Sequence, residues 1–85
     1  MHQLTYLKRA ERALLTMPRT TAILIRDKLR LLATDPYAPN NNVKKLQGRE
    51  GYRMRVGDWR VIYEIRDDQL IILVLDIGPR GEIYR

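Results

Sequence analysis

Between Tyr52 and Glu64 the chain reads YRMRVGDWRVIYE, with Arg53 and Arg55 two residues apart, a Gly57-Asp58 pair, and Arg60 just beyond it. A Gly-Asp pair between alternating apolar residues signals a two-residue β-hairpin turn. The turn predicts a register in which Val56 faces Trp59, Arg55 faces Arg60, Met54 faces Val61, Arg53 faces Ile62 and Tyr52 faces Tyr63. Tyr52, Met54, Val56, Trp59, Val61, Tyr63 and Ile65 then form an apolar layer, while Arg53, Arg55 and Arg60 share the other face with Glu64. Like charges directly across a strand pair cost stability unless an anion lies between them. Guanidinium groups grip phosphate oxygens bidentately, so the cluster reads as a phosphate site. The alternative is that the side chains splay into water, where salt screens them over about 10 Å. Arg80 and Tyr84 follow the next apolar run. A further guanidinium and a phenol near the same face would make a site where phosphate contacts hold a nucleic-acid backbone and the ring stacks on a base.

Composition points to the same kind of partner. The net charge is +6 and the pI about 10.1, and 12 of the 16 basic residues are arginine. Such a surplus on 85 residues suits a polyanion, either nucleic acid or an acidic protein segment. Arginines that only solubilise the surface are the other reading. Without cysteine there is neither a disulfide framework nor a thiolate metal site. The one histidine, His2, stands beside the initiator methionine and reads as an exposed end rather than a ligand or base. No apolar stretch reaches the roughly 18 to 20 residues of a membrane span and no signal sequence opens the chain, so a cytoplasmic protein without a membrane partner is expected.

The elements that must position these residues are legible from periodicity. His2 to Leu7 reads as a first strand. Lys8 to Met17 is rich in helix formers, with Leu7, Ala10 and Leu14 at helical spacing, and Pro18 ends it. Arg19 to Thr34 predicts a second helix with an apolar stripe of Ala22, Ile25, Leu29 and Leu32, and with Arg19, Arg26 and Arg30 off the stripe. Asp35 to Asn42 carries two prolines and three asparagines and reads as a loop whose length invites mobility. After the Tyr52–Ile65 hairpin, Asp67-Asp68 reads as a turn, and Leu70 to Ile77 is an almost unbroken apolar run, as expected of a central strand covered on both faces. The prediction is one α+β domain over residues 1–85, with an N-terminal strand and a helical hairpin packed on one face of a small, mainly antiparallel twisted sheet.

The order of these motifs resembles a known family. A helical hairpin, then Lys45-Leu46-Gln47-Gly48, Tyr52-Arg53-Met54-Arg55, Trp59-Arg60, Gly78-Pro79-Arg80 and Tyr84 together look like the RelE toxins of the RelE/ParE superfamily of toxin–antitoxin pairs. The likeness spans almost the whole chain. It implies a RelE-like fold and a ribosome-dependent endoribonuclease, an mRNA interferase that cleaves messenger RNA in the A site with neither metal nor cofactor. The RNA 2′-hydroxyl attacks the adjacent phosphorus, leaving a 2′,3′-cyclic phosphate and a 5′-hydroxyl. By the same resemblance Arg53 and Arg60 clamp the phosphate, and Arg55 takes the position of a lysine proposed as base or charge stabiliser. Arg80 neutralises the leaving oxygen, and Tyr84 stacks on or orients the nucleotide. The implied partners are a cognate antitoxin, RelB-like or other, with an acidic or amphipathic segment, together with the ribosome and messenger RNA. Arg19, Arg26 and Arg30 around the apolar stripe make the helical hairpin a docking platform for the antitoxin. Lys44, Lys45 and Arg49 are candidate RNA and ribosome contacts, or an ordinary solvated loop.

Two departures from the family pattern bear on mechanism. Arginine fills both basic positions of Tyr52-Arg53-Met54-Arg55, and arginine does not readily release a proton inside a protein. Glu64, on the arginine face by strand alternation, is expected to form a salt bridge to Arg53, with a substitute base as its alternative role. The sequence also ends at Arg85, so inhibition by the antitoxin is expected to proceed without displacing a C-terminal toxin helix. Two rival readings are a ParE-like inhibitor of DNA gyrase and a non-catalytic basic module that binds RNA or protein.

Overall fold

The computed structural model describes residues 1–79. In chain order the elements are β1 (Gln3–Tyr6), α1 (Lys8–Thr16), α2 (Arg19–Thr34), β2 (Val43–Lys45), β3 (Tyr52–Val56), β4 (Trp59–Arg66) and β5 (Ile71–Pro79). The strands form one sheet in the order β1-β5-β4-β3-β2. Among the described strands β1–β5 is parallel, while β2–β3, β3–β4 and β4–β5 are antiparallel. The fold is therefore α+β, with two helices against a five-stranded mixed sheet.

Both helices cover one face of the sheet. Ala10 and Leu14 of α1 and Ala22, Ile25, Leu29 and Leu32 of α2 are buried against Met54, Val56, Val61, Tyr63, Ile72, Val74 and Ile77. The 3.6-residue period of α2 and the two-residue period of the strands thus meet in one apolar layer, where burial of each large side chain is worth about 1.5–3 kcal/mol. Leu7 is the exception among the helix-spaced residues: it precedes α1 and is exposed.

The hairpin register agrees residue for residue with the expectation, from Tyr52 opposite Tyr63 to Val56 opposite Trp59. Gly57 takes φ 58° in the turn, the left-handed conformation that glycine adopts without a Cβ penalty. The N-terminus departs from expectation. The backbone N–H of His2 donates to the Ala33 carbonyl at 2.9 Å, and its Nε2 lies 2.9 Å from Asp67 Oδ1, leaving its side chain 12% exposed. His2 is a tied residue because the parallel β1–β5 ladder, entered by Gln3 N–H to Leu70 O, delivers it to the β4–β5 turn. The 35–42 loop is anchored as well. The Tyr37 hydroxyl donates to Asp67 Oδ2 at 2.6 Å, and Arg55 N–H donates to Asn42 O at 2.8 Å.

Candidate phosphate-binding face

The face away from the helices is built in two rungs, each defined by strand pairing. In the first, Arg55 on β3 lies opposite Arg60 on β4, which lies opposite Gly78 on β5. The second runs Lys44 on β2, Arg53 on β3, Ile62 on β4 and Asp76 on β5. Lys44, Arg53, Arg55 and Arg60 therefore share one surface, with Lys44 exposed on strand β2 and not in a loop. Lys45 is its neighbour on that strand and pairs with Tyr52 of the helix-facing layer, so it points to the other side of the sheet. Arg49 lies in the loop between β2 and β3 and lines a cavity with Ile62 and Asp76. Arg80 and Tyr84 lie outside the described residues.

The cations are not equivalent. Arg55 is exposed, Arg53 half-buried and Arg60 only 6% exposed. Ile62 is also buried, at 4%, although it faces away from the helices and forms an apolar floor between Arg53 and Asp76. Glu64 shares the face by alternation but forms a different pair from the one expected. Its Oε1 accepts from Arg66 at 2.7 and 3.1 Å, so among the described residues it holds Arg66 rather than Arg53. The reason is strand geometry: Arg66 is two residues along the same face, while Arg53 pairs with Ile62 and is reached only diagonally.

The residue that sequence reasoning missed is Asp76. Ladder β4–β5 shifts register between Ile62 and Tyr63: Ile62 pairs with Asp76 but Tyr63 pairs with Val74. Leu75 is the extra residue of a bulge. A bulge reverses which way the following residues point; it puts Ile77 in the core and Asp76 on the cationic face. A usable signal was present, since Asp76 is the one polar residue in the run LIILVLDI. Its Oδ1 accepts the Ile77 backbone N–H at 2.9 Å, and its Oδ2 lies 3.7 Å from Arg9 of α1.

On the helical side, Arg26 lies over the Tyr6 ring at 5.6 Å, and Arg30 donates to Asp27 at 2.7 Å. Burial raises the Tyr6 hydroxyl pKa, and the charges of Arg26 and Arg30 oppose that rise. The expected platform residues Arg26 and Arg30 are thus engaged within the chain, beside exposed Leu15, Ile23 and Leu31. Among the described residues no cluster of three or more metal-ligating side chains forms, and no helix is long and apolar enough to cross a membrane.

Known proteins place this architecture. The RelE–RelB complex from Pyrococcus horikoshii OT3 matches with TM-score 0.82 at 28% identity, covering 95% of this chain and 97% of that one. The intact E. coli RelBE toxin–antitoxin complex matches with TM-score 0.81 at 20% identity, over 96% of this chain and 100% of that one. The RelB–RelE antitoxin–toxin complex from Methanococcus jannaschii matches with TM-score 0.74 at 22% identity, over 93% of each chain. No curated protein sequence matches. Residues 4–84 match the family described as ParE toxin of type II toxin–antitoxin system, parDE. The chain belongs to that family and is a toxin of a type II toxin–antitoxin system within the RelE/ParE superfamily.

Proposed function

We propose that this toxin is a ribosome-dependent endoribonuclease that cleaves messenger RNA in the A site and thereby stops translation. The observation that carries the reading is the grouping of Lys44, Arg53, Arg55 and Arg60 on one face in two adjacent rungs. Cleavage through the 2′-hydroxyl needs little covalent chemistry from the protein. It needs an oriented backbone, stabilisation of the charge that grows on phosphorus, and proton transfer. Arg53 and Arg60 grip the phosphate beside the apolar floor of Ile62. Arg55, exposed, meets the backbone first. Arg80 neutralises the leaving oxygen and Tyr84 orients the nucleotide, in the roles the family resemblance gives them. Lys44, Lys45 and Arg49 add backbone contacts on messenger or ribosomal RNA, and the cell compartment is the cytoplasm.

A RelB-like antitoxin is the proposed protein partner. Its support is that the similar toxins from P. horikoshii, E. coli and M. jannaschii form complexes with RelB. The second reading, inhibition of DNA gyrase, is favoured by the ParE name of the matched family.

The deciding experiment is a reconstituted translation complex with a defined messenger, incubated with wild-type protein, Arg53→Ala and Arg80→Ala, and read by primer extension. The nuclease reading expects A-site cleavage that requires the ribosome and is lost in both variants. No cleavage by wild-type protein, with inhibition in a gyrase supercoiling assay run in parallel, replaces it with the second reading. Silence in both assays leaves a non-catalytic binder.

A further inference from the structure

We propose that Asp76 is the general base of the cleavage reaction, an assignment that rests on the endoribonuclease reading above. The cationic face supplies charge stabilisation in abundance but lacks a proton acceptor among its arginines, since a guanidinium has no acceptor lone pair and keeps its protons. A carboxylate accepts protons at neutral pH, and two described carboxylates face this side: Glu64 and Asp76. Glu64 already accepts two hydrogen bonds from Arg66 and lies outside the two rungs that hold the cations. Asp76 lies within them. It shares a rung with Lys44 and Arg53, and it is diagonal to Arg60, whose partner Gly78 is two residues further along β5.

The placement of Asp76 depends on the bulge at Leu75. In an unbroken ladder continued from Val74, position 76 would share the core side with Ile72 and Val74 and bury a carboxylate among apolar side chains, which is unfavourable for an unpaired charge. The bulge puts it on the reactive face instead, an arrangement that recurs beside active sites. Ile62 separates Arg53 from Asp76 by two strand spacings, about 10 Å in all. A phosphodiester over this floor has Arg53 on one side, Arg60 along the strand and the Asp76 carboxylate on the other side.

Asp76 also borders open space. β1 pairs with β5 only from Ile71 to Val74, so the outer edge of β5 is uncovered by β1 beyond that point. A cavity of about 850 Å³ opens there, with Arg9, Arg49, Trp59, Ile62, Asp76 and Gly78 among its walls. Within the chain Asp76 Oδ1 accepts the Ile77 backbone N–H at 2.9 Å, and its Oδ2 lies 3.7 Å from Arg9, whose side chain is 76% exposed. An ion pair that long and that exposed contributes little, so Oδ2 is the oxygen placed to accept a proton. Among the described residues, Arg9 of α1 is 3.7 Å from Asp76, Arg49 of the β2–β3 loop lines the same cavity, and Arg60 of β4 lies diagonally across the ladder.

In the step itself the ribose 2′-hydroxyl gives its proton to the Asp76 carboxylate as the 2′-oxygen bonds to phosphorus. The bond from phosphorus to the 5′-oxygen breaks with its electron pair, and that oxygen takes a proton from water. The products are a 2′,3′-cyclic phosphate and a 5′-hydroxyl, with Asp76 then returning its proton to solvent.

The test is single-turnover cleavage on programmed ribosomes across pH with wild type, Asp76→Asn and Asp76→Glu, each first checked for folding by thermal melting. Asp76→Asn is expected to lower the maximal rate by about 100- to 10,000-fold with little change in the concentration giving half-maximal rate. The acidic limb of the wild-type pH–rate profile is expected to vanish in Asp76→Asn and to survive in Asp76→Glu, which regains part of the rate. Cleavage by Asp76→Asn at the wild-type rate, or with the acidic limb intact, overturns the assignment and leaves the nuclease reading standing. So does loss of that limb in Glu64→Gln but not in Asp76→Asn. If Asp76→Asn fails to fold, the limb is sought in Asp76→Glu alone, and its absence there while present in wild type overturns the assignment. Wild-type protein that cuts nothing overturns both.

Discussion

Arg55 and Arg60 face each other across the β3–β4 ladder, yet Arg55 is exposed and Arg60 is 6% exposed. One cation is open to solvent, and the other is part of the built structure. Directly opposed like charges are destabilising, so Arg55→Ala is expected to leave the melting temperature unchanged or slightly raised at low salt. On the proposed nuclease reading the same variant is expected to weaken RNA binding and to reduce the salt dependence of that binding by about one phosphate contact. Arg60→Ala is expected to lower both stability and binding, because it also removes a buried aliphatic stem. Thermal melts and binding isotherms at several salt concentrations check both. Equal stability losses in the two variants would contradict the division of roles.

Tyr63 is fully buried in the core layer and stacks on Tyr52 at 5.6 Å, with its hydroxyl lacking a hydrogen-bond partner among the described residues. Burial pushes its pKa up, with the neighbouring Tyr52 adding to the effect. A buried unsatisfied hydroxyl carries a desolvation cost. Tyr63→Phe keeps the ring and removes that cost, so urea denaturation is expected to show unchanged stability or a gain of up to about 1 kcal/mol. A loss of more than that would mean the hydroxyl is satisfied.

How much of this was written in local sequence can be judged from particular residues. The β3–β4 register was legible because a two-residue turn dictates every pair above it. The bounds of α2 were legible because Pro18 precedes it and the Asp35-Pro36 loop follows. What escaped depends on long-range pairing. Lys44 joins the site only because β2 pairs with β3, and His2 is held only because β1 runs beside β5, 65 residues away from its partner Asp67 in the chain. Asp76 escaped for another reason: strict alternation from Val74 assigns it to the core side, and the only mark of the bulge is that Asp76 is the one polar residue in the run.

Two left-handed backbone positions predict opposite outcomes. Gly51 has φ 114°, and a Cβ there would sit 2.9 Å from the Tyr63 carbonyl oxygen. Gly51→Ala is expected to cost about 2–3 kcal/mol through combined backbone strain and collision. Leu70 has φ 54° and is 57% exposed in the β4–β5 turn. A side chain in that conformation costs about 1 kcal/mol or more, so Leu70→Gly is expected to be neutral or stabilising despite the freedom glycine adds to the unfolded chain. Chemical denaturation of the two variants against wild type tests the contrast, and a stable Gly51→Ala would refute the first half of it.

Asp67 joins three parts of the chain, taking the Tyr37 hydroxyl on Oδ2 and His2 Nε2 on Oδ1. The bond from Tyr37, and then that from His2, holds the Asp67 carboxyl below its ordinary value of 3.8. A depressed carboxyl contributes stability above its unfolded pKa and loses it as pH falls through the folded value. The same bond raises the Tyr37 hydroxyl from 10.0 to about 12, so on the alkaline side the contribution is present below pH 10 and fades as pH climbs towards 12. Tyr37→Phe removes the bond, and with it the alkaline limb and the larger part of the acidic one, the rest of which His2 maintains. The stability difference between wild type and Tyr37→Phe is therefore expected to be level from about pH 5 to 9 and to shrink on either side. Urea denaturation across the pH range measures it. A difference that persists undiminished at both extremes would show that Tyr37 stabilises the loop by packing and not through Asp67.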